Sequence, residues 1–324
     1  MKRKLVLFLL IGALCLNPAR AEGDYLKWVD FDVSCAAMSR ALALDVESHG
    51  QEKALSWIDI LALAAARAGG GKFSVSAVER AAKELAGDES PEEFLGNQLK
   101  YYRYYREAYG AALGGLVGNY AIERTNPDGS KEWVPAYGLK AFSPIAAGYG
   151  YCHYEDFGAA RGYGFARRHL GNDLLGSLGT PIVAVESGTV EALGWNQYGG
   201  WRVGIRSDDR RRYYYYAHLR KDHPYADGLK EGGHVTAGDV IGFMGRTGYS
   251  AKENVNNIAA VHLHFGLELI FDESQKECGS EIWIDVCDIV SLLDRHRSSV
   301  ARNEETGRWG RLYPYRDLDA EAAL

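Results

Sequence analysis

Apolar residues recur at three-and-four spacing from Tyr25 to Gly118, with few β-branched runs between them, the period of helices that each bury one face. Four helices are predicted there. The first covers Phe31 to Glu47, and the second starts near Leu55, passes through an alanine-rich stretch and stops at Gly69-Gly70-Gly71. A third covers about Val75 to Leu85. Ser90-Pro91-Glu92-Glu93 opens a fourth, with Ser90 as N-cap, Pro91 in the first helical position and Glu93 closing a capping box; it runs through Lys100 to Arg106 towards Gly114-Gly115. Tyrosines at 101, 102, 104, 105 and 109 wrap both sides of that helix, and packing with hydroxyls at the surface is preferred over sugar stacking or docking.

The period then changes. Two extended segments between Asn119 and Gly138 flank the turn Asn126-Pro127-Asp128-Gly129 and predict a hairpin. Ala141 to Arg168, rich in Gly and Tyr, reads as an ordered connector that lays one wall of a site. From His169 onward short strands alternate with glycine turns: 180–185, 188–193, 201–205, 212–217, 240–243 and 261–270. Close strand spacing argues for an antiparallel sandwich or barrel-like sheet. Ile284 to Arg295 returns to helical spacing, and Asn303 to Leu324 reads as a loosely held polar tail. The fold class is α+β and multidomain, a helical part followed by a mostly antiparallel β domain with a C-terminal helix.

The first residues read as an address. Lys2, Arg3 and Lys4 precede the apolar run Leu5 to Leu16, and Pro18-Ala19-Arg20-Ala21 offers a cleavage site before Glu22. The run falls short of the ~20 residues that span a bilayer, so an exported chain is expected, without stable membrane insertion once the signal is cut. Loss of residues 1–21 takes four of the 37 basic residues, leaving 33 against 43 acidic ones, a formal charge of −10. That excludes nucleic acid as an expected partner, which would want a basic surface. Cys35, Cys152, Cys278 and Cys287 remain, with Cys278 and Cys287 the pair nearest in sequence and free thiols the alternative.

Candidate chemistry sits in two places. In an extended Val261-His262-Leu263-His264-Phe265, both histidines share one face while Leu263 and Phe265 enter a core. His169 and Asp173 lie four apart, but Gly171, Gly176 and Gly179 speak for a loop or strand entry rather than a helix. Neutral imidazoles plus one carboxylate make a three-ligand set for an ion such as zinc, with a fourth position open for water. Each pair alone is a weak signal; together, separated by strand patterning, they are specific.

The segment His169 to Leu269 resembles peptidase family M23, the lysostaphin and LytM-like zinc endopeptidases of bacterial cell walls. The resemblance rests on His169-Leu170-Gly171-Asn172-Asp173, Gly179-Thr180-Pro181-Ile182-Val183-Ala184, Gly188-Thr189-Val190, Tyr216-Ala217-His218-Leu219, Gly238-Asp239-Val240-Ile241-Gly242, Gly245-Arg246-Thr247-Gly248 and His262-Leu263-His264-Phe265, in the family's order. It implies that His169, Asp173 and His264 bind one zinc ion, that His262 and His218 are catalytic, and that peptidoglycan peptides are the substrate. Residues 1–21 are then a signal peptide, 22–118 a helical domain, 119–168 hairpin and connector, 169–296 the peptidase domain and 297–324 a polar tail. If His218 continues its strand, Tyr214 and Tyr216 share its face, and one of them would hold substrate or the oxyanion. The spacer Tyr249 to Ala260 is longer than usual in the family and would shape or cover the cleft. A silent envelope scaffold of the same fold is the competing reading. A sugar-transport phosphocarrier fits the glycine motifs but not the export signal or Asp173.

Overall fold

The computed structural model describes residues 25–162, 166–276 and 280–323. The expected signal peptide and Cys278 lie outside them. Among the described residues no helix is long and apolar enough to cross a membrane.

The N-terminal part is helical: Cys35–Ser48, Trp57–Ala68, Val75–Leu85, Pro91–Phe94 and Leu99–Leu113. The first helix starts later than its apolar pattern suggested, because extended Ser34 takes the N-cap and its side chain accepts from Ala37 N. The fourth predicted helix is broken. Glu93 Oε2 accepts from Ser90 N at 2.7 Å as the capping reading expects, but Gly96 adopts φ 50°, and a short 3₁₀ turn, Gly96–Gln98, intervenes before Leu99. Tyr102, Tyr105 and Tyr109 are buried, and the first two donate to Asp59 Oδ1 and Asp30 Oδ2 at 3.1 and 3.3 Å, so these tyrosines serve packing inside the helical part.

The main sheet is antiparallel, in the order His234–Val235, Gly188–Asn196, Gly200–Ser207, Arg212–Ala217, His262–Leu269, Asn172–Leu175, Cys152–Tyr154, with Ile282–Ile284 pairing the far half of His262–Leu269. Its two faces differ. Leu263, Phe265, Leu267 and Leu269, with Tyr214, Tyr216, Val203 and Ile205, are buried in an apolar cluster continuous with the helices. The opposite face carries the polar and glycine positions that alternate with them, so a core forms on one side and a cleft on the other.

Buried ionic groups fasten the helices and the C-terminus to the sheet. Arg212, fully buried, forks onto Glu186 at 2.7 and 3.0 Å and donates to Ala111 O at 2.7 Å, satisfying a carbonyl left over at the end of helix Leu99–Leu113. The tail is a correction to the sequence reading. Tyr315–Asp317 pairs antiparallel with Val117–Thr125, and Leu318–Ala323 is helical. Asp317 is buried and accepts from Lys140 Nζ at 2.8 Å and Ser187 Oγ at 2.7 Å. Its anchors are polar and far away in sequence, which is why it read as loose. Cys35, Cys152 and Cys287 carry free thiols.

Candidate metal centre and active site

Strand register brings the two sequence signals together. Asn172–Leu175 pairs with the start of His262–Leu269 so that Asp173 stands opposite His264, and His169 reaches the same point from the preceding loop. Asp173 Oδ1 lies 3.2 Å from His169 Nε2 and 3.3 Å from His264 Nδ1, and the two ring nitrogens are 2.7 Å apart. Four ligands about an ion at ~2.0–2.2 Å sit roughly 3.3 Å from one another. The two carboxylate distances match that spacing, and the nitrogen pair is tighter.

The proton on His169 is assigned by its other nitrogen. Nδ1 lies 3.2 Å from Asp156 O and 3.3 Å from Asp156 Oδ1, so it donates there and Nε2 keeps its lone pair. Burial pushes the His264 imidazole below its ordinary range. Burial pushes the Asp173 carboxyl up, but hydrogen bonds from His169 and His264 outweigh it and hold the group well below the usual carboxylate range. Three electron-rich atoms thus converge, a donor set that fits a divalent cation.

Gly171 explains itself here. A Cβ on it would meet Phe265 O at 2.6 Å and the His264 ring at 2.8 Å, so only glycine lets this turn pass under the imidazole.

His262 and His218 flank the cluster. His262 Nε2 is 3.6 Å from Asp173 Oδ1, while its Nδ1 lies 3.0 Å from Ala260 O. The His218 ring is centred 4.7 Å from that of His262, and its Nδ1 lies 2.9 Å from Thr247 O. Both rings are tied back through Nδ1 to backbone carbonyls, which leaves Nε2 of each as an acceptor. Burial, aided by His262 and His264, pushes His218 well below the ordinary imidazole range, so it is neutral at pH 7.

The expected partnership of His218 with Tyr214 and Tyr216 is corrected. The strand ends at Ala217, and His218 takes φ 62°, which rotates its side chain off the core face. Tyr216 is fully buried on the other side, its hydroxyl accepting from Val185 N at 3.0 Å, and Tyr214 donates to Glu186 Oε2 at 2.6 Å. Tyr213 and Tyr215 are the tyrosines of this strand that line the site face, and the ring of Tyr215 stands edge-on to His264 at 5.8 Å.

These groups line a cleft of about 680 Å³. The connector supplies Arg161, Arg167 and Arg168 to its wall, and the long spacer supplies Tyr249 and Ile258. Sequence reasoning missed Asp156. Nothing in Tyr154-Glu155-Asp156-Phe157 marks it, because its partners are brought by tertiary structure: it receives Asp173 N at 3.3 Å, holds His169 and is ion-paired with Arg161. A carboxylate behind a ligating histidine typically sets metal affinity by ~10–100-fold. Asp156→Asn is therefore expected to weaken binding of added zinc by about that factor in a chelator competition titration; an unchanged dissociation constant would remove Asp156 from the site.

Residues 167–276 match the model of peptidase family M23. The chain is 40% identical over 124 residues to the L-Ala–D-Glu endopeptidase of Bacillus subtilis, covering 38% of this chain and 36% of that protein. It is 33% identical over 146 residues to lysostaphin of Staphylococcus simulans, covering 45% of this chain and 24% of that protein. The matched segment thus spans about a third or less of these relatives. A solved structure from Ruminococcus gnavus, described as a candidate glycyl-glycine endopeptidase LytM, superposes with a TM-score of 0.51 at 23% identity, covering 82% of this chain and 89% of that one. This likeness of fold extends well beyond residues 167–276.

Proposed function

We propose that the peptidase family M23 domain at residues 167–276 makes this chain a zinc metalloendopeptidase that hydrolyses peptide bonds of bacterial peptidoglycan outside the cytoplasm. One observation carries the reading: the lone pairs of His169, Asp173 and His264 converge, with two further imidazoles beside them tied back by backbone carbonyls. His169 Nε2, Asp173 Oδ1 and His264 Nδ1 would hold the ion. When bound, zinc supplies Lewis-acid polarisation of the scissile carbonyl and an activated water near neutral pH.

The chain's own groups handle the protons. His262 Nε2, nearest the carboxylate ligand, accepts a proton from the attacking water and passes it to the departing amine. His218, neutral in the resting site through burial, shares the proton with His262 across the 4.7 Å between their ring centres, and only when it carries that proton at Nε2 does it stabilise negative charge on the substrate. Export rests on the sequence of residues 1–21.

The relatives are named for different bonds, L-Ala–D-Glu and glycyl-glycine, so the test uses purified peptidoglycans of differing bridge chemistry. Mass analysis is expected to find new peptide termini that disappear when a chelator is added and return with zinc. Release of nothing from any wall, by protein that retains zinc, would favour the scaffold reading instead.

A further inference from the structure

We propose that the cleft selects peptides bearing a free carboxylate near the scissile bond over uncharged glycine bridges, with Arg167 and Arg202 as the specificity-determining residues; this rests on the reading of the site as a peptidase. The cleft concentrates positive charge in a chain whose net charge is −6: Arg161, Arg167, Arg168, Arg202 and Lys276 line it, against Asp173, Glu268 and Glu281. Two of the cations are taken, Arg161 by Asp156 and Lys276 by Glu191. Among the described residues no carboxylate pairs with Arg167 or Arg202.

Both arginines are placed beside the histidines. Arg202 precedes Val203, whose strand partner is Tyr216, so it lies level with Ala217 and His264, about 10 Å from His264 across two strand spacings. Arg167 is held in one pose, its guanidinium 4.8 Å over the Tyr198 ring and Nη2 donating to Tyr249 Oη at 2.9 Å. Its Nε is buried and has no hydrogen-bond partner among the described residues. Glu268 does not cancel the two guanidinia at the reaction centre, since it stands four residues along the strand from His264, roughly 13 Å away. A fixed guanidinium fork with a spare donor matches a carboxylate in two-pronged geometry. Glycine bridges present no such group.

The test separates selectivity from cleavage. Binding of matched synthetic peptides, one with an acidic side chain next to the candidate bond and one with its amide isostere, is measured by calorimetry on zinc-loaded full-length protein carrying His262→Ala. Pentaglycine is a third ligand. The carboxylate peptide is expected to bind about 10–100-fold more tightly than the other two. Arg202→Gln and Arg167→Gln should each bring the ratio close to one, whereas Arg202→Lys, which keeps the charge, should retain part of it. Equal binding of the three ligands, or a preference untouched by both glutamine variants, overturns the proposal. Turnover by the parent chain is measured alongside: selective binding without cleavage of any peptide would sink the peptidase reading while leaving the anion selectivity standing.

Discussion

His264→Ala is expected to lose both zinc and wall-peptide cleavage, whereas His262→Ala keeps zinc and loses cleavage by about 10²–10⁴-fold, the usual worth of a positioned acid–base group. The asymmetry follows from geometry. His264 contributes Nδ1 to the converging set, 3.3 Å from Asp173 Oδ1, and its removal leaves only two donors. His262 points Nε2 at the same carboxylate oxygen from 3.6 Å but is not needed to complete a three-ligand centre. Equilibrium dialysis of zinc and release of peptides from peptidoglycan, run on the same preparations, read the two properties apart. Parent-rate cleavage by His262→Ala would show that another group moves the proton.

The second large effect is on stability. Arg212→Met removes a fully buried guanidinium that binds Glu186 through two hydrogen bonds, reaches Ala111 O and also contacts Asp209. It leaves the buried Glu186 carboxylate with Tyr214 as its remaining neighbour in that network, and it strips a cap from the end of helix Leu99–Leu113. Breaking one side of a buried ion pair costs about 3–5 kcal/mol, because the survivor is a desolvated charge without compensation. For a chain of this size, at about 2.1 cal/mol/K of unfolding entropy per residue, that is a fall in Tm of roughly 5–8 °C. Calorimetric melting checks it. The double change Arg212→Met with Glu186→Gln should recover part of the loss, since it removes the stranded charge. A single variant that melts within a degree of the parent would mean the fork contributes orientation but little stability.

The helices, the hairpin turn and most strands were legible in the chain because periodicity and turn chemistry are local. So was the pairing of His262 with His264 on one face, since alternation in an extended strand is fixed by backbone geometry. Where the reading failed, a backbone angle or a distant partner intervened. Gly96 in the left-handed region split the fourth helix. His218, also left-handed, turned away from Tyr214 and Tyr216, whose hydroxyls serve Glu186 and Val185 in the core instead. The tail looked loose because strand pairing and a buried ion pair to Lys140, made 177 residues away, hold it.

By itself the sequence determined which histidines and which aspartate stand as candidates for the chemistry and which element types present them, through spacing that short-range sterics enforce. Only the tertiary structure decided that Asp173 stands opposite His264, that Asp156 backs His169, and that Arg167 and Arg202, with no carboxylate partner among the described residues, line the cleft of an acidic chain. Those juxtapositions depend on strand register and loop closure between segments far apart in the chain, and no local pattern encodes the distance between two side chains that only packing brings together.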